Sequence, residues 1–497
     1  MVDVSLADWD SAPLLTAAID AAAECEHVDV RLVSTRTVAQ SRRDHVAKAD
    51  VDHSEVALGV RVVRDGCWGF AATDRLTPID AAQTAKTAVA LAHASAATAT
   101  APVELAPEPQ HQGTWRSGFD IDPFSIPSEQ RMQFLEWGSS QLLKHPAVHH
   151  TDASLMAVAE TVAYADSHGT STRQHRIRLQ ADFTAVHLDP NGQFTTLTTT
   201  APPVARGWEF LGDGNGVWPW HQELSELPDL LSEKAAAPTV EPGRRTLVID
   251  PTNLWLTIHE SVAHATELDR ILGYEANYAG TSFVAPTDIG QLQYGSSLMN
   301  VQADRTVDHG LSTVAWDDEG VAAQEWPLIT NGVLVGVQLD RAMAAANGLP
   351  RSNGCAYADS GSHTPLQRMP NISLMPDPAG GDVEKLIAGV DDGIYVVGDN
   401  SWSIDMQRYN FQFTGQQFHR IKSGRLAGQL RDVAYQGRTP DFWRSMVAVG
   451  GPQSFLLAGA LNCGKGQPGQ SAPVSHGTPA AVFENVNILN SREEAGS

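Results

Sequence analysis

The stretch Lys234-Ala235-Ala236-Ala237-Pro238-Thr239-Val240-Glu241-Pro242-Gly243 divides the chain. Its small residues and prolines end a polar helix, and the next apolar run, Thr246-Leu247-Val248-Ile249, reads as a strand. Upstream, helical and alternating patterns mix. An Ala-rich helix over Leu14–Cys25 precedes a half-buried strand at Val28–Val33. Asp65-Gly66 between two apolar runs predicts a hairpin, and Thr77-Pro78 caps a helix through Ala97. A proline-rich loop spans 99–127, a helix opens at Ser128, and strands near Ile177–Phe183 and Phe194–Leu197 meet at the turn Asp189–Gly192. Downstream, a helix from about Pro251 to Arg270 is followed by short alternating runs, with turns expected at Asn331-Gly332, Asp392-Gly393 and Ser423-Gly424. The fold class is therefore α+β. Residues 1–235 are expected to form an N-terminal α/β domain with a mixed sheet, and 244–497 a β-rich, barrel- or sandwich-like domain carrying the Pro251 helix.

With 497 residues and 42% hydrophobic content, the chain has material for two or three cores. Its formal charge of −24, with no concentrated basic patch, excludes a nucleic-acid partner. Met1 to Ala23 carries Asp3, Asp8, Asp10 and Asp20 and no apolar run, so it reads as neither signal nor anchor. No apolar stretch is long enough to span a membrane, and a cytoplasmic protein is expected. Cys25, Cys67, Cys355 and Cys463 show no CxxC spacing, which fits reduced thiols.

The chemistry concentrates in His259-Glu260-Ser261-Val262-Ala263-His264-Ala265-Thr266-Glu267-Leu268-Asp269. Two imidazoles bracketing a carboxylate on a helix suggest a metal site with Glu260 as general base. The histidines are five apart rather than four, so a regular helix would splay them by about 140°. An i→i+5 bulge would return them to one face, and the spacing predicts one here. The same string also fits ordinary helix histidines satisfied by polar neighbours. Glu260, Glu267 and Asp269 favour the metal reading, because carboxylates orient metal-bound imidazoles.

The segment resembles the TldD/PmbA family of metalloproteases, and its TldD-type catalytic subunit in particular. His259, Glu260, His264, Glu267 and Asp269 match the family's HExxxHxxExD, and Cys463-Gly464-Lys465-Gly466-Gln467-Pro468 matches its late Cys-Gly-Lys motif. Gly59–Val62, Gly69–Ala71, Asp317–Gly320 and Arg368–Asn371 are weaker matches. The resemblance implies zinc held by His259, His264 and Cys463, with Glu260 as base and Glu267 and Asp269 behind the ligands. It further implies a peptidase acting on unfolded or extended peptides, held by backbone pairing at a strand edge, and a dimer with a related PmbA-type subunit or with itself. A hydrolase of amide bonds in a modified peptide or natural product shares every site residue. A non-catalytic peptide-binding subunit has no need to keep them. Family members often carry Gly where this chain has Ala263, so the bulge must be held by tertiary contacts.

Two decoys fall away. Gly459–Lys465 imitates a phosphate loop, but Gly466 stands where Ser or Thr would reach magnesium, and the preceding segment reads as helix rather than strand. Ser360 and Ser362 beside His363 lack a nucleophile elbow. Asn462 and neighbouring glycines place Cys463 in a loop, and Trp316, Trp326, Trp402 and Trp443 read as core or interface aromatics.

Overall fold

The computed structural model describes residues 10–466 and 469–494. The first nine residues of the N-terminal segment, and Gln467 and Pro468 of the late motif, lie outside the described residues.

The N-terminal half is built on a sheet of seven strands: β1 (His27–Arg43), β2 (Val46–Arg64), β3 (Cys67–Thr73), β4 (Gln112–Arg116), β5 (His150–Asp166), β6 (Ser171–Leu188) and β7 (Phe194–Thr198). Their order is β3-β2-β1-β5-β6-β4, with β7 also on β6. Only β4 runs parallel to its neighbour, which makes the sheet mixed. Asp65 and Gly66 take positive φ of 52° and 68° in the tight β2–β3 hairpin. Helices α1 (Ala12–Ala21) and α2 (Pro78–Ser95) bury Leu14, Leu15, Ala81 and Ala85 against Val28, Val30, Leu58 and Val60. Thr77 caps α2 through a bond from the Asp80 N–H. Helices α3 (Ser128–Leu142) and α4 (Trp220–Ala236) bring Phe134, Leu135, Leu224 and Leu231 onto Leu155, Leu179 and Phe183.

Two expectations are corrected in this half. The strand at Val28–Val33 is not half-buried: its outward Asp29 and Arg31 are covered, Asp29 by Arg61 and Arg31 by Asp318 and the His363 carbonyl. The 99–127 segment is not all loop, since β4 adds beside β6.

The second half is organised around a closed barrel of five strands: β8 (Gly243–Ile249), β9 (Asp392–Ile404), β10 (Asn410–Lys422), β11 (Val433–Arg438) and β14 (Ala481–Asn490). Pairing runs β9-β8-β14-β11-β10 and returns from β10 to β9, so no edge is left within this ring. The β8–β9 pair is parallel and the others are antiparallel. A separate hairpin, β12 (Leu456–Lys465) with β13 (Gln470–Thr478), precedes β14. Helix α5 (Pro251–Ile258), capped by Asp250, is buried on every side, which explains its apolar composition. Its Leu254 and Ile258 share one core with Leu247, Ile249, Phe411, Phe413, Tyr435 and Phe483.

Asn331-Gly332 and Ser423-Gly424 are turns with positive φ at both residues. Asp392-Gly393 is not: it begins β9, and Gly393 is there because a Cβ would sit 2.6 Å from the Thr246 carbonyl oxygen. The segment before Cys463, read above as helical, is strand β12, and much of the Gly/Pro/Ser-rich tail is strand β13. Trp443 is fully buried, whereas Trp402 is 54% exposed and is no core residue.

Candidate metal centre

Helix α5 does not continue to Arg270 as expected. It passes at His259 into a π turn spanning His259–Ala263, then a 3-10 turn at His264–Thr266, and the chain becomes extended at Glu267 before the short helix α6 (Leu268–Ile271). The His264 N–H donates to the His259 carbonyl, the i→i+5 bond that the five-residue spacing requires. A π turn leaves backbone groups out of register, and here side chains take them up. The Tyr294 hydroxyl donates to the Ser261 carbonyl, Gln338 Nε2 to that of Ala263 at 2.6 Å, and Thr266 Oγ1 to that of Val262 at 2.9 Å. Trp443 Nε1 donates to Ser261 Oγ at 2.9 Å. Tertiary contacts thus hold the bulge that Ala263 by itself would not favour.

The result brings His259 and His264 onto one side, ring centroids 4.7 Å apart. Cys463, 199 residues later, faces them: its Sγ lies 3.5 Å from His264 Nε2. One ligand-capable atom from each of the three lies within 4.8 Å of the others, and all three residues are buried. Cys463 is not in a loop. It sits on β12 opposite Ala472, where Leu461, Cys463 and Lys465 point inward and Asn462 and Gly464 outward.

The outer nitrogens of both imidazoles are engaged. His264 Nδ1 donates to Glu267 Oε2 at 2.8 Å. His259 Nδ1 lies 2.8 Å from His476 Nε2, and His476 Nδ1 lies 3.1 Å from the Ile372 carbonyl oxygen. That carbonyl can only accept, so His476 carries its proton on Nδ1 and offers a lone pair at Nε2. His259 must then donate from Nδ1, which leaves its Nε2 unprotonated. Burial lowers the pKa of His259, His264 and His476, which favours the neutral rings. The network therefore assigns free lone pairs at Nε2 of both motif histidines.

Behind them stands a buried charge cluster. Glu267 accepts from Arg270 Nε at 3.1 Å and from Lys465 Nζ at 2.9 Å as well as from His264. Burial would raise its pKa, but Lys465, His264 and Arg270 outweigh that and hold the carboxyl well below the usual range. Asp269 reaches Lys465 at 3.0 Å rather than a histidine, and burial pushes its carboxyl up. The Cys463 thiol, also penalised by burial, is drawn below its ordinary value by the charge His264 carries when protonated and by Arg368. Arg368 donates to the Cys463 carbonyl. Glu260 is buried on the π turn between the two histidines. Arg408, its guanidinium pulled down by burial, is held up chiefly by Glu260.

Every residue singled out in the motif and Cys463 is in this cluster. His476, Lys465, Arg368 and Arg408 were not foreseen as parts of it. For Lys465 the signal existed: on a strand it shares a face with Cys463. For His476, a lone histidine in Val474-Ser475-His476-Gly477, no local pattern pointed to the site.

A buried His/His/Cys group at the end of a π-bulged helix, with a carboxylate between the histidines, defines a candidate mononuclear metal protein on a closed mixed barrel. Comparison with known proteins agrees. A family model described as "PmbA/TldA metallopeptidase C-terminal domain" matches residues 242–490, and one described as "PmbA/TldA metallopeptidase domain 1" matches residues 28–92. The chain belongs to the PmbA/TldD family. A protein of Methanothermobacter thermautotrophicus named "Metalloprotease" is 26% identical over 93% of this chain and 95% of its own length. A "Zinc metalloprotease TldD homolog" of Saccharolobus solfataricus is 25% identical over 55% of this chain and 57% of its own. TldE from Thermococcus kodakarensis shares the fold, with a TM-score of 0.72 at 15% identity over 96% of this chain and 99% of that one. No helix among the described residues is long and apolar enough to cross a membrane.

Proposed function

We propose that this chain is a zinc-dependent peptidase acting on unfolded or extended peptides. The observation that carries the reading is the convergence of His259, His264 and Cys463. The donor set fits zinc: two neutral imidazoles and a thiolate leave a fourth position open, as catalytic sites require. Zinc–nitrogen and zinc–sulfur bonds of about 2.1 and 2.3 Å in tetrahedral geometry separate ligands by roughly 3.6 Å. The His264 Nε2 to Cys463 Sγ distance of 3.5 Å matches that edge. The zinc named for one relative supports the same choice.

In this reading His259 and His264 present Nε2 lone pairs and Cys463 presents its thiolate. Bound there, zinc would polarise a carbonyl and lower the pKa of a water toward neutrality. Glu260 takes the proton of the attacking water and passes it to the departing amine. Glu267 and His476 hold the imidazoles in the competent tautomer, and Lys465 with Arg270 keeps Glu267 ionised. Residues 1–235 and 244–497 are taken as two domains. A related PmbA- or TldE-type subunit, or a second copy, is the proposed partner, supported by the TldE-like fold.

The test is hydrolysis of an unstructured peptide, followed by mass spectrometry, with and without such a partner. Glu260→Gln should retain zinc while the rate falls about 10²–10⁴-fold. Cleavage within tenfold of the parent would remove Glu260 as base. A zinc-loaded parent that cleaves no peptide in either setting would overturn the peptidase reading and favour a narrower amide substrate.

A further inference from the structure

Behind the hairpin that carries Cys463 lies a small cavity walled by Arg176, Arg178, Arg305, Arg368, Tyr357 and Ser312, contributed by both halves of the chain. It has room for roughly one water-sized particle. All four guanidinium groups are buried.

Their partners can be followed atom by atom. Arg176 donates from Nε and Nη2 to Glu160 Oε1, and Arg178 from Nη1 to Glu160 Oε2 at 3.3 Å. Arg178 Nε reaches the Leu311 carbonyl at 3.0 Å, and Arg368 Nη2 reaches that of Cys463. Arg178 Nη2, Arg305 Nε and Nη1, and Arg368 Nε and Nη1 have no hydrogen-bond partner among the described residues. Four positive charges therefore meet one contacting carboxylate, Glu160, which also accepts from the Tyr357 hydroxyl at 3.1 Å. The next acids are engaged elsewhere. Asp318 accepts from Arg31 and the Ala358 N–H, and Asp317 from the N–H groups of Glu319, Val321 and Ala356.

Arginine cannot shed its proton to escape burial, so unpaired buried guanidinium groups call for an acceptor carrying charge. A water has two lone pairs and no charge, too little for five donor nitrogens on three arginines. A spherical anion accepts from all sides. We propose that this cavity is a binding site for a small monovalent anion of chloride size, held by Arg178, Arg305 and Arg368. Burial pulls the guanidinium groups of Arg178 and Arg305 down, and the neighbouring Arg176 charge adds to this for both. Arg368, bonded to the Cys463 carbonyl, ties the anion to the strand that supplies the thiolate.

Crystals of the full chain grown with sodium bromide in place of chloride should show an anomalous peak between these three arginines. In solution, raising chloride from 1 to 100 mM at ionic strength held constant with gluconate should lift the unfolding midpoint by about 2 °C or more. Arg305→Met should abolish that lift. Ordered water without anomalous signal at 100 mM bromide would overturn the site. So would equal midpoints in chloride and gluconate. The bromide result on the parent chain stands even if Arg305→Met does not fold.

Discussion

His476 decides which nitrogen of His259 is free. Its own Nδ1 is fixed by the Ile372 carbonyl, and the proton order this imposes runs through to the motif. Without it, His259 could rotate or bind in the other tautomer, and second-layer partners of this kind are worth 10–100-fold in metal affinity. His476→Ala should weaken zinc binding by about that factor, read by competition with a chromogenic chelator, while the chain remains folded by circular dichroism. Unchanged affinity would make His476 a packing residue alone. His264 has a different arrangement: its partner is a carboxylate anchored by Lys465 and Arg270, so its orientation depends on a charge cluster.

At the scale of elements, the π turn is the decisive feature, and it was legible. Five-residue spacing on an apolar helix leaves two histidines divergent unless one residue is absorbed, and the chain absorbs it at His259–Ala263. What the sequence could not display are the groups that hold the turn open, because Tyr294, Gln338 and Trp443 come from distant segments. Tyr294→Phe removes the donor to the Ser261 carbonyl and leaves it unpaired in the core. This should cost about 1–3 kcal/mol in a denaturant titration and weaken zinc binding together with it. A stability loss with intact zinc affinity would separate the turn from the metal group. Strand β12 was misread because Asn462 and Gly464, its outward residues, look like loop residues. Alternation with Leu461, Cys463 and Lys465 was the better guide. Asp392-Gly393 misled in the opposite direction, since close strand approach demands glycine as often as a turn does.

Across the whole molecule, the second half is expected from sequence to be β-rich and barrel- or sandwich-like, and the structure makes it a barrel. Its closure depends on the β9–β10 pairing and on the parallel β8–β9 contact, and sequence alternation carries no information about which strands meet. The same closure sets the site, because α5 is surrounded by barrel core while Cys463 comes from the hairpin beside it. A metal bridging residues 199 positions apart should stabilise the tertiary structure as a whole. Chelator-treated protein should therefore unfold at lower temperature than the zinc form, with the difference growing with free zinc by mass action. Equal midpoints would mean that no metal is held in the folded state.

The most direct measurement of the central claim is zinc content per chain by elemental analysis, on the parent and on Cys463→Ala and Glu260→Ala. The account predicts about one zinc in the parent, little in Cys463→Ala, and parent-like content in Glu260→Ala. Metal-free parent protein after growth and purification in zinc, or undiminished zinc in Cys463→Ala, would contradict it.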